Sequence, residues 1–351
     1  MRAASNPSGF PDERRAILAL SLVADVGPVT HRQLTERFGS ALRALAEGVP
    51  SHADRANEKA DSLLSDASAR GLRLVTAADT MYPQQLLNLY DPPPVLWSCG
   101  DWSALRAPVI AVVGTRRATS YGLRATQHVV SALARAGATI VSGMALGIDA
   151  AAHRAALDVD GKTVAVLGTG ADVAYPRRHG ALHREIADRG LIISEVPPGS
   201  KSDPGSFPRR NRIIAALASL TIVAEAPIKS GALITSRDAL DLGRDVAAIP
   251  GPIDSPQSEG SNELIRDGAH VITSASDAIR LVGLKETVAA GPTLTGEAEA
   301  RVWNALSVGG TSLDDLCARA ELPVAQCLTA VTGLELRGLV ECAITGEVRR
   351  R

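Results

Sequence analysis

The sequence predicts a doubly wound α/β protein with a mostly parallel sheet, preceded by a helical segment and followed by a short helix-rich tail. Three observations lead there. Between residues 108 and 283, Val- and Ile-rich runs alternate with amphipathic stretches, the pattern of strands covered on both faces. The loops that close those runs are rich in glycine, as strand-to-helix turns at the carboxyl edge of such a sheet are. At 351 residues, 45% hydrophobic and 21% charged, the chain has ordinary globular composition and length for two or three domains.

Residues 1–13 hold no apolar h-region, so no secretion signal is expected. Helical periodicity dominates 11–90. A first helix over 14–26 stops at Val26-Gly27-Pro28, and Thr30 is placed to cap a second through Phe38, before Gly39-Ser40. Helix, glycine turn, helix is the shape of a helix-hairpin-helix or SAM-like unit, and a plain helical bundle fits the pattern equally well. The stretch from Tyr82-Pro83 to Trp97 is proline-rich but too apolar to stay solvated, so it reads as a packed connector. The expected division is 1–85 helical, 86–290 α/β core and 291–351 tail.

In the core, strands are expected at 109–113, 139–142, 163–167, 191–194, 220–224, 246–249 and 271–273. Helices are expected near 121–136, 147–157, 178–189, 208–218, 231–242 and 261–267. Gly291-Pro-Thr-Leu-Thr-Gly296 marks the next boundary. Three helices (297–306, 312–320, 324–337) and a hairpin turning near Thr345-Gly346 then give the tail a winged-helix order.

The functional reading centres on 207–218. Phe207 and Pro208 precede a helix whose first turns carry Arg209, Arg210, Asn211 and Arg212, while Ile213, Ile214, Ala216 and Leu217 face a core. Free N–H groups, a helix dipole and three guanidinium groups are expected to converge there on an anion, most naturally phosphate. Four strand-end loops add to the site. They contain Gly114-Thr115-Arg116, Ser142-Gly143, Gly168-Thr169-Gly170 with Tyr175 to Arg178 beyond it, and Ser230-Gly231. Glycine beside small hydroxyl residues lets backbone amides approach an anion.

Only 3% of the chain is aromatic, and Tyr121, Tyr175 and Phe207 all fall in or beside these arginine-bearing loops. Rings beside guanidinium groups suit single-stranded nucleic acid, through base stacking and backbone neutralisation. The other reading of Phe207 is a hydrophobic staple.

Several chemistries find no support. Gly168-Thr169-Gly170 has Val173 where a dinucleotide fingerprint needs its third glycine, and the Walker pattern is absent, since Ala156 stands where its first glycine would precede Gly161-Lys162-Thr163, so no cofactor is expected. Cys99, Cys317, Cys327 and Cys342 lack metal-ligand spacing and read as reduced thiols, so no metal is expected either. Asp149 and His153 read as a helix N-terminal acid and a packed histidine. Glu195 and Glu225 end strands, where acids can serve as general bases, yet nothing else completes a catalytic set. With no run long enough to span a membrane and a formal net charge of -1, a cytoplasmic protein with a local basic patch is expected. The tail from 293 sets six arginines against eight acids, too acidic for a groove reader, so it is expected to contact protein.

From about residue 12 onward these motifs resemble the DprA/Smf family of DNA-processing proteins. The resemblance rests on Tyr82-Pro83 with Asp91-Pro92-Pro93, Val113 to Arg116, Ser142 to Asp149 with Ala152-His153, and Gly168 to Gly170. It continues through Tyr175-Pro176, Ser194-Glu195, Phe207 to Ile214, Glu225-Ala226, Ser230 to Thr235, Pro250-Gly251, and Gly260 with Asn262.

It implies a SAM-like N-terminal domain, a Rossmann-like core and a winged-helix tail. It also implies a non-enzymatic homodimer, formed through the core, that protects incoming single-stranded DNA and loads the RecA recombinase onto it in natural transformation. Arg116 with Phe207, Arg210, Asn211 and Arg212 would line the DNA site. Family members often place a lysine three residues before the phenylalanine. Here that position is Pro204, and Lys201 is the candidate substitute. The alternative is a nucleotide hydrolase of the phosphoribohydrolase type, though its Pro-Gly-Gly-x-Gly-Thr run is missing.

Overall fold

The computed structural model describes residues 12–202, 205–286, 294–306, 311–343 and 346–350. The chain divides into two units at residue 287. The expected boundary at 290/291, like Pro204 and Thr345, lies outside the described residues.

The first unit begins with α1 (Asp12–Ser21), α2 (Pro28–Phe38), a short α3 (Ala41–Arg43) that widens into a π turn, and α4 (Pro50–Ala69). Helix α2 starts two residues before Thr30, because Pro28 lacks the N–H that the first turn cannot use, and Gly39 ends it at φ 80. Ala56, Ala60, Leu64 and Ala67 put one buried stripe on α4.

The expected helical run then fails. Strand β1 (Arg73–Thr76) and strand β2 (Val95–Gly100) enter the sheet as an antiparallel pair, with a 3-10 turn (Gln84–Asn88) between them. The connector is packed, as expected: Tyr82, Leu86 and Leu89 are buried in the core.

The core continues as β3 (Val109–Gly114), α5 (Ser120–Arg135), β4 (Thr139–Ser142), α6 (Ile148–Leu157), β5 (Thr163–Leu167), α7 (Gly180–Arg189) and β6 (Leu191–Ser194). It is completed by α8 (Ser206–Leu217), β7 (Leu220–Glu225), α9 (Gly231–Asp241), β8 (Asp245–Ala248), α10 (Glu259–Arg266), β9 (His270–Val271) and α11 (Ala275–Leu281). The nine strands order as β1-β2-β6-β5-β4-β3-β7-β8-β9, parallel from β6 to β9.

Alternate residues of β3 serve the two faces. Val109, Ala111 and Val113 pack with α8 and α9, whereas Ile110 and Val112 pack with α5 and α6. No helix of the described residues is long and apolar enough to cross a membrane.

The second unit contains α12 (Glu297–Ala305), β10 (Thr311–Ser312), α13 (Leu313–Ala320), α14 (Val324–Leu336), β11 (Val340–Cys342) and β12 (Glu347–Arg350). The strands order as β10-β12-β11. Val302, Leu316, Cys327, Leu334, Val340 and Val348 form its core. This is a winged helix. Its helix α14 exposes Val324, Leu328 and Leu336 rather than basic groups.

Candidate nucleic-acid interface

From β3 the chain winds one way through β4, β5 and β6, and from β7 it winds the other way to β9. The crevice at the carboxyl ends of β3 and β7 is therefore the switch point where such sheets take ligands. A cleft of about 130 Å³ lies there, bordered by Gly114, Arg116, Phe207, Asn211 and the start of α9, over a floor of Asp149 and Arg210. Enclosed small-molecule sites usually offer about 300 Å³ or more; this cleft is smaller and opens to solvent.

On the open side, the exposed Arg116 holds its guanidinium carbon 5.4 Å from the centre of the Phe207 ring. Phe207 in turn lies 5.0 Å from the ring of Tyr175, tilted by 38°. Tyr175 is 43% exposed, and the exposed Arg177 and Arg178 follow it within three residues. The Arg116 guanidinium and two neighbouring rings thus form a row at one strand-end edge. Tyr121 stands apart from them, its hydroxyl donating to the Pro250 carbonyl at 2.6 Å.

Ser230 caps α9 by accepting from the Ala232 N–H at 3.3 Å, and a side chain added at Gly231 would meet open space. The Asn211 amide ties α8 to this helix start through the Gly231 carbonyl at 3.3 Å. Lys201 and Arg209 are exposed but do not border the cleft.

Arg210 and Arg212 depart from the expected convergence. Both are buried, with 6% and 8% exposure, because α8 is packed against protein on both sides of its first turns. Arg210 runs inward to donate to the carbonyls of Gly143 (2.6 Å) and Val166, with Asp149 at 3.9 Å. Burial lowers its pKa to about 10, which leaves it charged at neutral pH, and burial raises that of Asp149. Arg212 points elsewhere, to Asp91 and Glu195. Two of the three guanidinium groups are therefore spent inside the protein.

The loop glycines and hydroxyls divide in the same way. A side chain at Gly114 would strike Ile148, one at Gly143 the Arg210 guanidinium, one at Gly168 the Phe207 ring and one at Gly170 the Pro197 carbonyl. Of the expected anion-facing glycines, only Gly231 opens outward; the other four exist for close packing. Ser142 is buried and donates to the Val112 carbonyl, and Thr115 donates to Gln257.

The acids are likewise engaged. Glu225 accepts from the Thr119 amide (2.8 Å) and hydroxyl (2.6 Å) at the start of α5. Glu195 pairs with Arg212 at 2.8 Å. Asp149 accepts from the amides of Gly143 (3.2 Å) and Ala145 (3.4 Å), and His153 bonds Thr163 at 2.7 Å, the packed roles expected of both. Gln257 was not legible as a neighbour of the site; it reaches Thr115 across 142 residues of sequence.

The family model for DNA recombination-mediator protein A matches residues 73–283. The chain belongs to that family. Residues 11–71 match the DprA-like N-terminal HHH domain and 286–343 the DprA winged helix domain, which decides for the helix-hairpin-helix reading over a plain bundle. A putative DNA processing protein DprA of Mycobacterium tuberculosis is 39% identical over 347 residues, covering 92% of this chain and 87% of that protein.

Among solved structures, DprA of Streptococcus pneumoniae superposes with a TM-score of 0.63 at 34% identity, covering 80% of this chain and 95% of that one. DprA of Helicobacter pylori, described for its single-stranded DNA binding mode, gives 0.55 at 33% identity, covering 61% and 97%. The resemblance read from the strand-end motifs and the three-part architecture are thereby borne out.

Proposed function

We propose that this chain binds and protects incoming single-stranded DNA and loads the RecA recombinase onto it during natural transformation and homologous recombination. It does so in the cytoplasm as a homodimer formed through the α/β core, by binding rather than by catalysis. The observation that carries the reading is the Arg116–Phe207–Tyr175 row, a guanidinium group followed by two neighbouring rings that solvent can reach.

Such a row grips a strand by its phosphates and stacks its bases without reading sequence. The H. pylori relative is described for its single-stranded DNA binding mode, which supports the reading. In this role Arg116, Phe207, Asn211, Ser230 and Gly231 touch the strand, and Lys201 and Arg209 attract it from the rim. Arg210 acts from beneath, and Arg212 ties α8 to Asp91 and Glu195 away from the strand. The hydrolase alternative needs a free carboxylate at a strand end, and Glu195 and Glu225 are both engaged.

The test is binding to single- and double-stranded DNA of equal length, with and without RecA. Preference for the single strand and faster RecA filament growth on protein-coated DNA are expected. Equal affinity for both forms, or release of base from a nucleoside monophosphate, would overturn the reading.

A further inference from the structure

The most unusual group near the cleft is one that does not open onto it. Arg210 lies at the front of a helix beside a candidate DNA path, yet the residue is 6% exposed and its guanidinium reaches the carbonyls of Gly143 and Val166. Asp149, 5% exposed, meets the same loop from the other side through the amides of Gly143 and Ala145. Between them the loop after β4 takes a conformation it would not hold unaided. Met144 has φ 56 with its side chain fully buried, and Gly147 has φ 75. A side chain at Gly143 would occupy the place of the guanidinium, so glycine there and arginine at 210 fit only as a pair. Arg210 also donates to Asn211 at 3.0 Å, and Asn211 holds the Gly231 carbonyl.

We propose that Arg210 and Asp149 form a buried clamp that sets the 143–147 loop and, through Asn211, the start of α9, controlling single-strand affinity without touching the strand. The clamp rests on the single-strand reading above and assigns these two residues a positioning role within it. Its physical basis is that one planar guanidinium donates from Nη1 to both carbonyls and from Nε to Asn211, a fixed pair of donor nitrogens that a single ammonium on a flexible stem does not supply. Its charges cancel, so it adds little to the field that attracts DNA.

Two variants test it by anisotropy titration of a labelled oligothymidylate over a salt series. Arg210→Lys keeps the charge and loses the Nε donor to Asn211. Asp149→Asn removes a negative charge from beneath the cleft. The clamp predicts that both weaken binding about tenfold while the salt slope stays that of wild type, since no phosphate contact is lost. Amides of 143–147 should exchange faster in both free proteins.

Arg116→Ala is the control, and its slope should fall by about 0.7. If Arg210→Lys fails to fold, Asp149→Asn still decides by sign, because a purely electrostatic role predicts tighter binding. Tighter binding by Asp149→Asn, a lowered slope in Arg210→Lys, or unchanged affinity in folded variants would overturn the clamp. A wild-type chain that binds no single strand would overturn the functional reading itself, and the clamp with it.

Discussion

The Arg212 guanidinium is held between two carboxylates, Asp91 at 3.0 Å and Glu195 at 2.8 Å. Asp91 comes from the proline-rich connector, Glu195 follows β6, and Arg212 belongs to α8. One side chain therefore joins three segments that are distant in sequence. Tyr82 closes the same corner by donating to the Pro93 carbonyl at 2.7 Å. Burial raises the pKa of Glu195 and the Arg212 charge opposes that rise, so the carboxylate depends on its partner to stay ionised.

Removing one member of a buried pair leaves the other uncompensated, at a cost of about 3–5 kcal/mol. Arg212→Ala is expected to lose about that much in urea unfolding, while the salt slope of DNA binding by the remaining folded protein is unchanged. A stable variant with a lowered slope would place Arg212 on the strand after all.

Arg116 and Phe207 make different contributions that one titration separates. Arg116→Ala removes a charge from the open side and should lower both the affinity and the salt slope, the latter by about 0.7. Phe207→Ala removes a stacking face worth about 1–3 kcal/mol and should leave the slope as it was. Phe207→Trp should restore most of the loss, because the indole also offers a stacking face. A Phe207→Ala variant with undiminished affinity would leave the ring as a staple for α8.

These contrasts mark what could be read from the sequence. The strands Thr139–Ser142, Thr163–Leu167 and Leu191–Ser194 fall where expected, because both their faces are buried and the apolar run is itself the strand. Strands β1 and β2 were illegible. One follows a long helix and the other follows three prolines, and they join the sheet by antiparallel pairing that neither run announces alone.

In the site, Arg116 and Phe207 were legible because a rare ring beside an arginine loop is conspicuous. The inward turn of Arg210 and Arg212 was not. Helical spacing says which residues share a face, and it cannot say that protein covers two faces of α8. The glycines misled for a related reason, since close packing and anion approach call for the same residue.

His153 supplies a pH dependence. It is fully buried, Nδ1 bonds Thr163 at 2.7 Å, and Nε2 has no hydrogen-bond partner among the described residues. Burial, reinforced by the nearby Arg210 charge, lowers its pKa from the ordinary 6.5 to about 3. Between those values the unfolded chain holds a proton that the folded chain does not, so stability is complete above pH 6.5 and falls as the pH drops. One such proton is worth about 1.4 kcal/mol per pH unit. Burial also lowers the pKa of His31, His179 and His183, and this adds slope of the same sign. His153→Asn is expected to flatten the acid limb of urea stability by about one proton's worth while leaving the remainder. An unchanged limb would mean that His153 stays neutral in both states.

The far edge of the sheet carries the prediction for self-association. Strand β9 is two residues long, and both His270 and Val271 are exposed, Val271 by 44%. Beside it a groove of about 460 Å³ is lined by Leu233, Leu240, Val246 and Leu264, and Leu240 is 56% exposed. A short edge strand next to exposed aliphatic side chains leaves unpaired backbone groups and apolar area at one place, which a second copy can cover. If the homodimer forms through this edge, Leu240→Glu with Val271→Glu should shift sedimentation from dimer to monomer at micromolar concentration, because each copy would have to desolvate two added carboxylates in a groove that Asp245, Glu263 and Asp267 line as well as Arg237 and Arg244. Single-strand binding per protomer should persist, since the cleft lies at the β3/β7 switch, with weaker apparent affinity on long strands where two linked sites no longer engage together. A dimer that survives both substitutions would move the interface to another face of the core.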